Sequence, residues 1–318
     1  MNTLRLERLE FAAMGTSCVV AVSAGPREQL RVQCAFEAAR AEVDACERVL
    51  SRFIPESDLS RLNAAAGEWT QVDVRLVETL RLAVAAREAT HGRFDPSVLP
   101  ALVAAGYDRT FEQLVARPPR TIAGWRGGAA IDIAETGAVR LDRGAAVDLG
   151  GIGKGYAAQR ALDAMRTAWP TFPGALVGLG GDVQVWGRPP DGGPWRIAVA
   201  DPRRAGATLA VLRVRAGGVA TSGRDVRRFG PNRALHHLID PATGEPAVRG
   251  PLTVTVVAAD AARAEAHATA LAMSSPEDAI EHVQANPSLS ALYVPRDGEP
   301  LRLGELPLEA SRRVVFAA

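Results

Sequence analysis

The segment Ala146-Val147-Asp148-Leu149-Gly150-Gly151-Ile152-Gly153-Lys154-Gly155-Tyr156 sets one acid and one lysine among four glycines, just ahead of a stretch with helical periodicity. Few backbones suit such a run. Glycine tolerates positive φ and lets a ligand reach the main chain, and the unpaired N–H groups that open a helix favour an anion. The segment therefore predicts a strand-to-helix junction able to cradle a phosphate, with Lys154 adding a point charge. Gly-rich junctions also occur purely for packing, and the run by itself leaves both readings open. Lys154 is followed by Gly155, not by the Ser or Thr that holds Mg²⁺ in a P-loop, which disfavours a P-loop nucleotidase.

The 318 residues, 47% hydrophobic and 23% charged, suffice for one large or two smaller soluble domains. Thirty-seven basic and 36 acidic residues are well mixed and leave a net charge of +1, so no nucleic-acid surface is expected. Cys18, Cys34 and Cys46 lack C-x-x-C spacing and lie in apolar surroundings, which predicts buried free thiols and a reducing compartment. Residues 11–24 imitate a secretory leader poorly: Gly15, Thr16 and Ser17 interrupt the apolar run, and Glu7 and Glu10 precede it. They are expected to form a buried first strand. No segment approaches the roughly 20 apolar residues of a membrane span.

Helical spacing of Leu30, Cys34, Ala38, Ala41, Ala45 and Val49 predicts a helix over 27–50 with that face buried. A short helix is expected over 58–63, a second amphipathic helix over about 73–90, and another over 153–168. Residues 131–141 read as strand, turn, strand. Short β-type runs at 175–180, 182–186, 195–199 and 208–214, separated by Gly and Pro, predict a largely antiparallel sheet. Residues 252–259 add a strand and about 260–273 a helix. Helices and strands alternate irregularly, which favours α+β over a doubly wound sheet.

Several polar clusters accompany the glycine run. His236-His237-Leu238-Ile239-Asp240-Pro241-Ala242-Thr243-Gly244 ends in a turn that could hold His237 and Asp240 in a set geometry, His237 serving as a base. A surface or capping histidine is the plain alternative. Glu265 and Thr269 are spaced i,i+4 and share a helix face, whereas His267 points elsewhere. Carboxylate, hydroxyl and a backbone carbonyl would make an all-oxygen site suited to Mg²⁺. An exposed polar pair has the same spacing.

Taken together, Met14-Gly15-Thr16, Ser57 to Asn63, Phe94-Asp95-Pro96-Ser97-Val98, Val147 to Tyr156, Thr221-Ser222-Gly223 with His236 to Gly244, and Ala264 to Thr269 occur in an order that resembles the ApbE family of FAD:protein FMN transferases. The resemblance runs from Met14 to about Met273. It implies one ApbE-like α+β domain over 1–318, related to the T-fold, with largely antiparallel sheets and packed helices. It places Met14, Phe53, Arg93, Phe94, Asp95, Asp148, Lys154 and Ile239 where such proteins contact FAD. The Gly151 carbonyl, Glu265 and Thr269 fall at the Mg²⁺ ligands, and His237 at the histidine that activates the acceptor. The implied reaction splits FAD at its pyrophosphate, passes FMN to a Thr or Ser hydroxyl of a partner flavoprotein and releases AMP. Lys154 would then stabilise the charged transition state, and Asp240 would orient His237.

The chain departs from the family pattern at three places. Glu265 replaces a usual Asp and reaches one methylene further, Phe53 replaces a common Tyr, and Arg224 stands where an acid is common, making a basic patch with Arg227 and Arg228. A Mg²⁺-dependent FAD pyrophosphatase and a non-catalytic FAD-binding protein remain as alternatives on the same residues. The lack of a convincing leader or lipid-attachment cysteine leads to an expected cytoplasmic location, with an extracytoplasmic one as the alternative.

Overall fold

The computed structural model describes residues 4–115, 118–224, 228–233, 235–309 and 315–316. Its frame is a nine-stranded sheet whose strands neighbour one another in chain order: β1 (Arg5–Ala13), β2 (Thr16–Ala24), β3 (Gly174–Leu179), β4 (Asp182–Gly187), β5 (Gly217–Gly223), β6 (Thr253–Ala258), β7 (Ser290–Val294), β8 (Leu301–Leu303) and β9 (Val315–Phe316). Every neighbouring pair is antiparallel except β8 with β9. Seven α-helices are described: α1 (Gln29–Leu50), α2 (Asp58–Ala64), α3 (Val74–Ala89), α4 (Leu99–Ala105), α5 (Gly153–Ala168), α6 (Ala261–Leu271) and α7 (Pro276–Ala285). This is the expected α+β class, and apart from the strand expected over 11–24 the expected helices and strands fall within a few residues of the observed ones. Among the described residues, no helix is long and apolar enough to cross a membrane.

Residues 11–24 are not one buried strand. They span the end of β1, a two-residue turn at Met14 and Gly15 with φ of 51° and 64°, and β2. Positive φ at both turn positions matches the twist of an antiparallel hairpin, but Met is an uncommon residue there, so the usual Asn-Gly signal is missing. β1 is the edge strand, and its exposed charged side chains discourage pairing with another chain.

Helix α1 presents a different face to the core from the one expected. Val32, Ala35, Ala39, Val43, Cys46 and Leu50 are buried, while Leu30 and Cys34 are exposed. Alanines put an apolar period on both faces, and the face carrying Val32, Val43 and Leu50 has the more apolar bulk to hide. Burial pushes the Cys46 thiol up to about 12 and raises that of Cys18, so neither ionises readily near neutrality. An alkylating thiol reagent at about pH 8 is therefore expected to modify Cys34 alone in the native protein and all three cysteines after denaturation. Mass spectrometry reads the result, and equal labelling of Cys46 in the native state would refute this helix orientation.

The sheet carries α1, α5 and α6 on one face through a core that includes Val20, Val177, Ala157 and Ala161. A hairpin of Trp195–Ala200 and Thr208–Val214 covers the other face, packing against Val185, Val219 and Leu292. Three elements meet where this frame leaves a cavity: the start of α5, the inner side of α6 and the tip of the β3–β4 hairpin. The segment with the short strands Leu235–His236 and Ile239–Asp240 closes it from the side.

Candidate active site

The glycine run enters α5 at Gly153, and Lys154 lies in the first helical turn. Its ammonium forms an ion pair with Glu265 Oε1 of α6 and sits 2.6 Å from Asp182 Oδ2 at the start of β4. The second Glu265 oxygen accepts the Gly155 N–H at 2.8 Å. One carboxylate thus meets both the lysine and the N-terminal end of α5, where a negative charge is stabilised. Asp182 and Glu265 are 4% and 3% exposed. Burial alone would lower the lysine's pKa, but the two acids outweigh it and hold the ammonium above its ordinary value. Burial and then Asp182 push the Glu265 carboxyl up against the opposing pull of Lys154.

The opening glycines have separate jobs. Gly150 donates its N–H to Asp148 Oδ1 at 2.8 Å, closing the turn, while a Cβ on Gly151 would lie 2.9 Å from Thr269 Oγ1 and 3.1 Å from Phe94. Gly151 therefore lets Thr269 and the ring approach its backbone. Gly155 has no room for a side chain against α6. Close packing accounts for Gly151 and Gly155, and turn closure for Gly150, so the packing reading of the run applies at these positions.

A cavity of about 260 Å³ opens over this centre, and a second of about 340 Å³ adjoins it. Arg52, Phe53, Tyr107, Asp148, Gly150 and Lys154 line both. The first also takes in Arg93, Phe94, Asp95, Gly151, His237, Ile239, Glu265 and Thr269, and the second takes in Met14. The structure therefore gathers these widely separated candidates around two adjoining cavities. Asp95, although on the wall, accepts Ser97 N–H and hydroxyl on Oδ1 and Gly128 N–H on Oδ2. Arg93 pairs with Asp278 of α7 at 2.9 Å. Asp240 is not on either wall: its Oδ1 accepts the Ala242 N–H at 2.9 Å, capping its own turn.

Of the adjacent histidines, His236 is buried with Nε2 2.9 Å from the Ala247 carbonyl, and burial followed by the Arg224 charge lowers its pKa. His237 is half-buried and lines the cavity. His267 points away from Glu265, as its spacing requires, with Nδ1 2.9 Å from His282 Nε2. Of the basic patch, Arg224 is buried against the Val248 carbonyl, Arg228 begins a short strand, and Arg227 lies outside the described residues.

Arg52 and Asp182 are among the wall residues that sequence reasoning missed. Arg52 pairs with Asp148 at 2.6 Å, donates to the Tyr107 carbonyl at 3.0 Å and stacks 4.1 Å from the Phe53 ring centroid. Asp182 follows the Gly180–Gly181 turn, a hairpin signal that marks its position without marking its partner.

Among the described residues, no three His, Cys, Asp or Glu side chains converge as metal ligands. The donors that do converge are of another kind. Glu265 and Thr269 lie one turn apart on α6, and the Thr269 hydroxyl faces the Gly151 backbone. An all-oxygen set with few carboxylates fits Mg²⁺, which retains waters and binds substrate phosphates.

The sequence and the fold match proteins already known. The ApbE family profile matches residues 14–293. A protein of Klebsiella pneumoniae named FAD:protein FMN transferase is 29% identical over 306 residues, covering 92% of this chain and 85% of that one. One of the same name from Rhodobacter capsulatus is 33% identical over 230 residues, 70% of this chain but 43% of its own length. The crystal structure of the ApbE protein of Thermotoga maritima superimposes with a TM-score of 0.84 at 30% identity, covering 94% of this chain and 97% of that one. The apo flavinyl transferase ApbE of Pseudomonas stutzeri gives 0.78 at 24% identity over 94% and 95%, a likeness of fold. The fold is thus that of the ApbE proteins. The chain belongs to the ApbE family.

Proposed function

We propose that this protein is a Mg²⁺-dependent FAD:protein FMN transferase, which attaches FMN through a phosphoester to a Thr or Ser hydroxyl of a partner protein and releases AMP. The observation that carries the reading is the convergence of His237 with Lys154, Glu265, Thr269 and Gly151 on one cavity. In this reading FAD lies across the two adjoining spaces. Phe53 offers a ring face for stacking, and Met14, Arg93, Phe94, Asp95, Asp148 and Ile239 shape the walls around the nucleotide.

Glu265, Thr269 and the Gly151 carbonyl would hold the magnesium ion, which when bound neutralises charge on the pyrophosphate. Glu265 reaches one methylene further than the usual Asp and already touches Lys154. Lys154 adds positive charge beside the phosphates. His237 removes the proton from the acceptor hydroxyl as its oxygen bonds to the FMN phosphorus, and the bond to the AMP phosphate breaks. AMP carries away the displaced electron pair.

The protein mixed with FAD, Mg²⁺ and a candidate acceptor is expected to yield covalent flavin on the acceptor and an equal amount of AMP. Chelation of the metal with EDTA is expected to abolish both products. Free FMN and AMP with an unmodified acceptor would identify a pyrophosphatase instead, and intact bound FAD a binding protein.

A further inference from the structure

Lys154 is the only lysine among 37 basic residues, the other 36 being arginines. Everywhere else this chain meets its need for a cation with a planar guanidinium. Here it keeps an ammonium, a compact group with three N–H donors, wedged between two buried carboxylates. A four-carbon stem has many rotamers, so its head needs fixed partners to stay in one place.

The two carboxylates are held differently. Asp182 opens β4 opposite Leu179, across a turn whose glycines have φ of 62° and 106°. Gly180 packs closely on Thr16 of β2, so the tip is anchored to the next strand. Glu265 sits on a helix facing the cavity and has further claims on its oxygens, the Gly155 N–H among them. Under the flavin-transfer reading it also faces a cation, whose charge repels an ammonium.

We propose that Asp182 is the positioning residue for Lys154, a constant counter-ion that keeps the ammonium aimed at the bound phosphates whatever Glu265 engages. The inference rests on the reading of this cavity as the FAD site. Without Asp182, the contact to Glu265 would not by itself hold the ammonium in one place, and the phosphates would lose an oriented donor.

The lone lysine makes this directly measurable. Protein grown with ¹⁵N-labelled lysine has a single side-chain ammonium signal, expected to be ordered in the natural protein and in Glu265→Gln, and lost or averaged in Asp182→Asn. FAD affinity, measured by equilibrium dialysis with EDTA, is expected to fall on the order of tenfold in Asp182→Asn. Adding Asp182→Asn to Lys154→Met should bring no further loss, because the aspartate acts through the lysine. An equally ordered ammonium in Asp182→Asn, or a full additional loss of affinity in the Lys154→Met background, would overturn the proposal. Should the unsubstituted protein not bind FAD, the flavin-transfer reading fails, while the ammonium signal still decides whether Asp182 holds Lys154.

Discussion

Replacing His237 with alanine is expected to slow flavin transfer on the order of a hundredfold or more, the usual worth of a positioned general base, with FAD affinity changed by less than about threefold. The contrast follows from where the side chain stands. His237 lies on the cavity wall between two short strands, on a different element from those that carry the Lys154, Asp182 and Glu265 cluster, and is not among that cluster's ion-pair partners. His236 cannot take its place. It is buried, with one ring nitrogen on the Ala247 carbonyl. Loss of His237 should therefore spare ligand binding and remove the group that takes the acceptor's proton. Initial rates of covalent flavin formation, set beside FAD dissociation constants for the same variant, separate the two effects. A variant that transfers FMN at the unsubstituted rate would sink the base assignment. A loss of affinity as large as the loss of rate would make His237 a binding residue instead.

What could be read from sequence depended on whether a signal was local. The start of α5 at Gly153 was legible because glycines, Lys154 and a helical period stand side by side, and Glu265 with Thr269 because their i,i+4 spacing fixes a shared face. Asp182 was not, since its partner lies 28 positions earlier and only the folding of β4 beside α5 brings them together. Arg52 was hidden similarly, being one arginine among many until Asp148 and two aromatic rings close around it. The buried face of α1 was misjudged because alanine gives little contrast between faces, and tertiary packing chose the one with Val32 and Leu50. For Asp240 the Pro-Ala-Thr-Gly turn was legible; the structure shows its carboxylate engaged in capping that turn.

The geometry of the α5–α6 contact sets the second large effect. Gly155→Ala is expected to destabilise the protein by roughly 2–3 kcal/mol or more, at the upper end of what overpacking a close-packed interior costs. A Cβ at this position would stand 2.7 Å from Ala262 N and closer still to the Ala261 carbonyl, and main-chain atoms cannot swing aside as a long side chain can. Helix α6 would have to shift. Because α6 carries Glu265 and Thr269, the strain should reach the cavity as well, and the Gly155 N–H that holds a Glu265 oxygen would move with it. Gly153→Ala provides the comparison within the same helical turn: its Cβ would meet only Leu149 Cβ at 3.7 Å, an ordinary contact. That variant should stay within about 1 kcal/mol of the original, since alanine is the better helix former. Urea unfolding of both proteins, with Mn²⁺ binding followed by electron paramagnetic resonance as a probe of the oxygen donors, measures the two consequences. If Gly155→Ala proves as stable as Gly153→Ala and binds the ion as tightly, then the close approach of α5 to α6 does not position Glu265, and the glycine run has to be explained by a ligand alone.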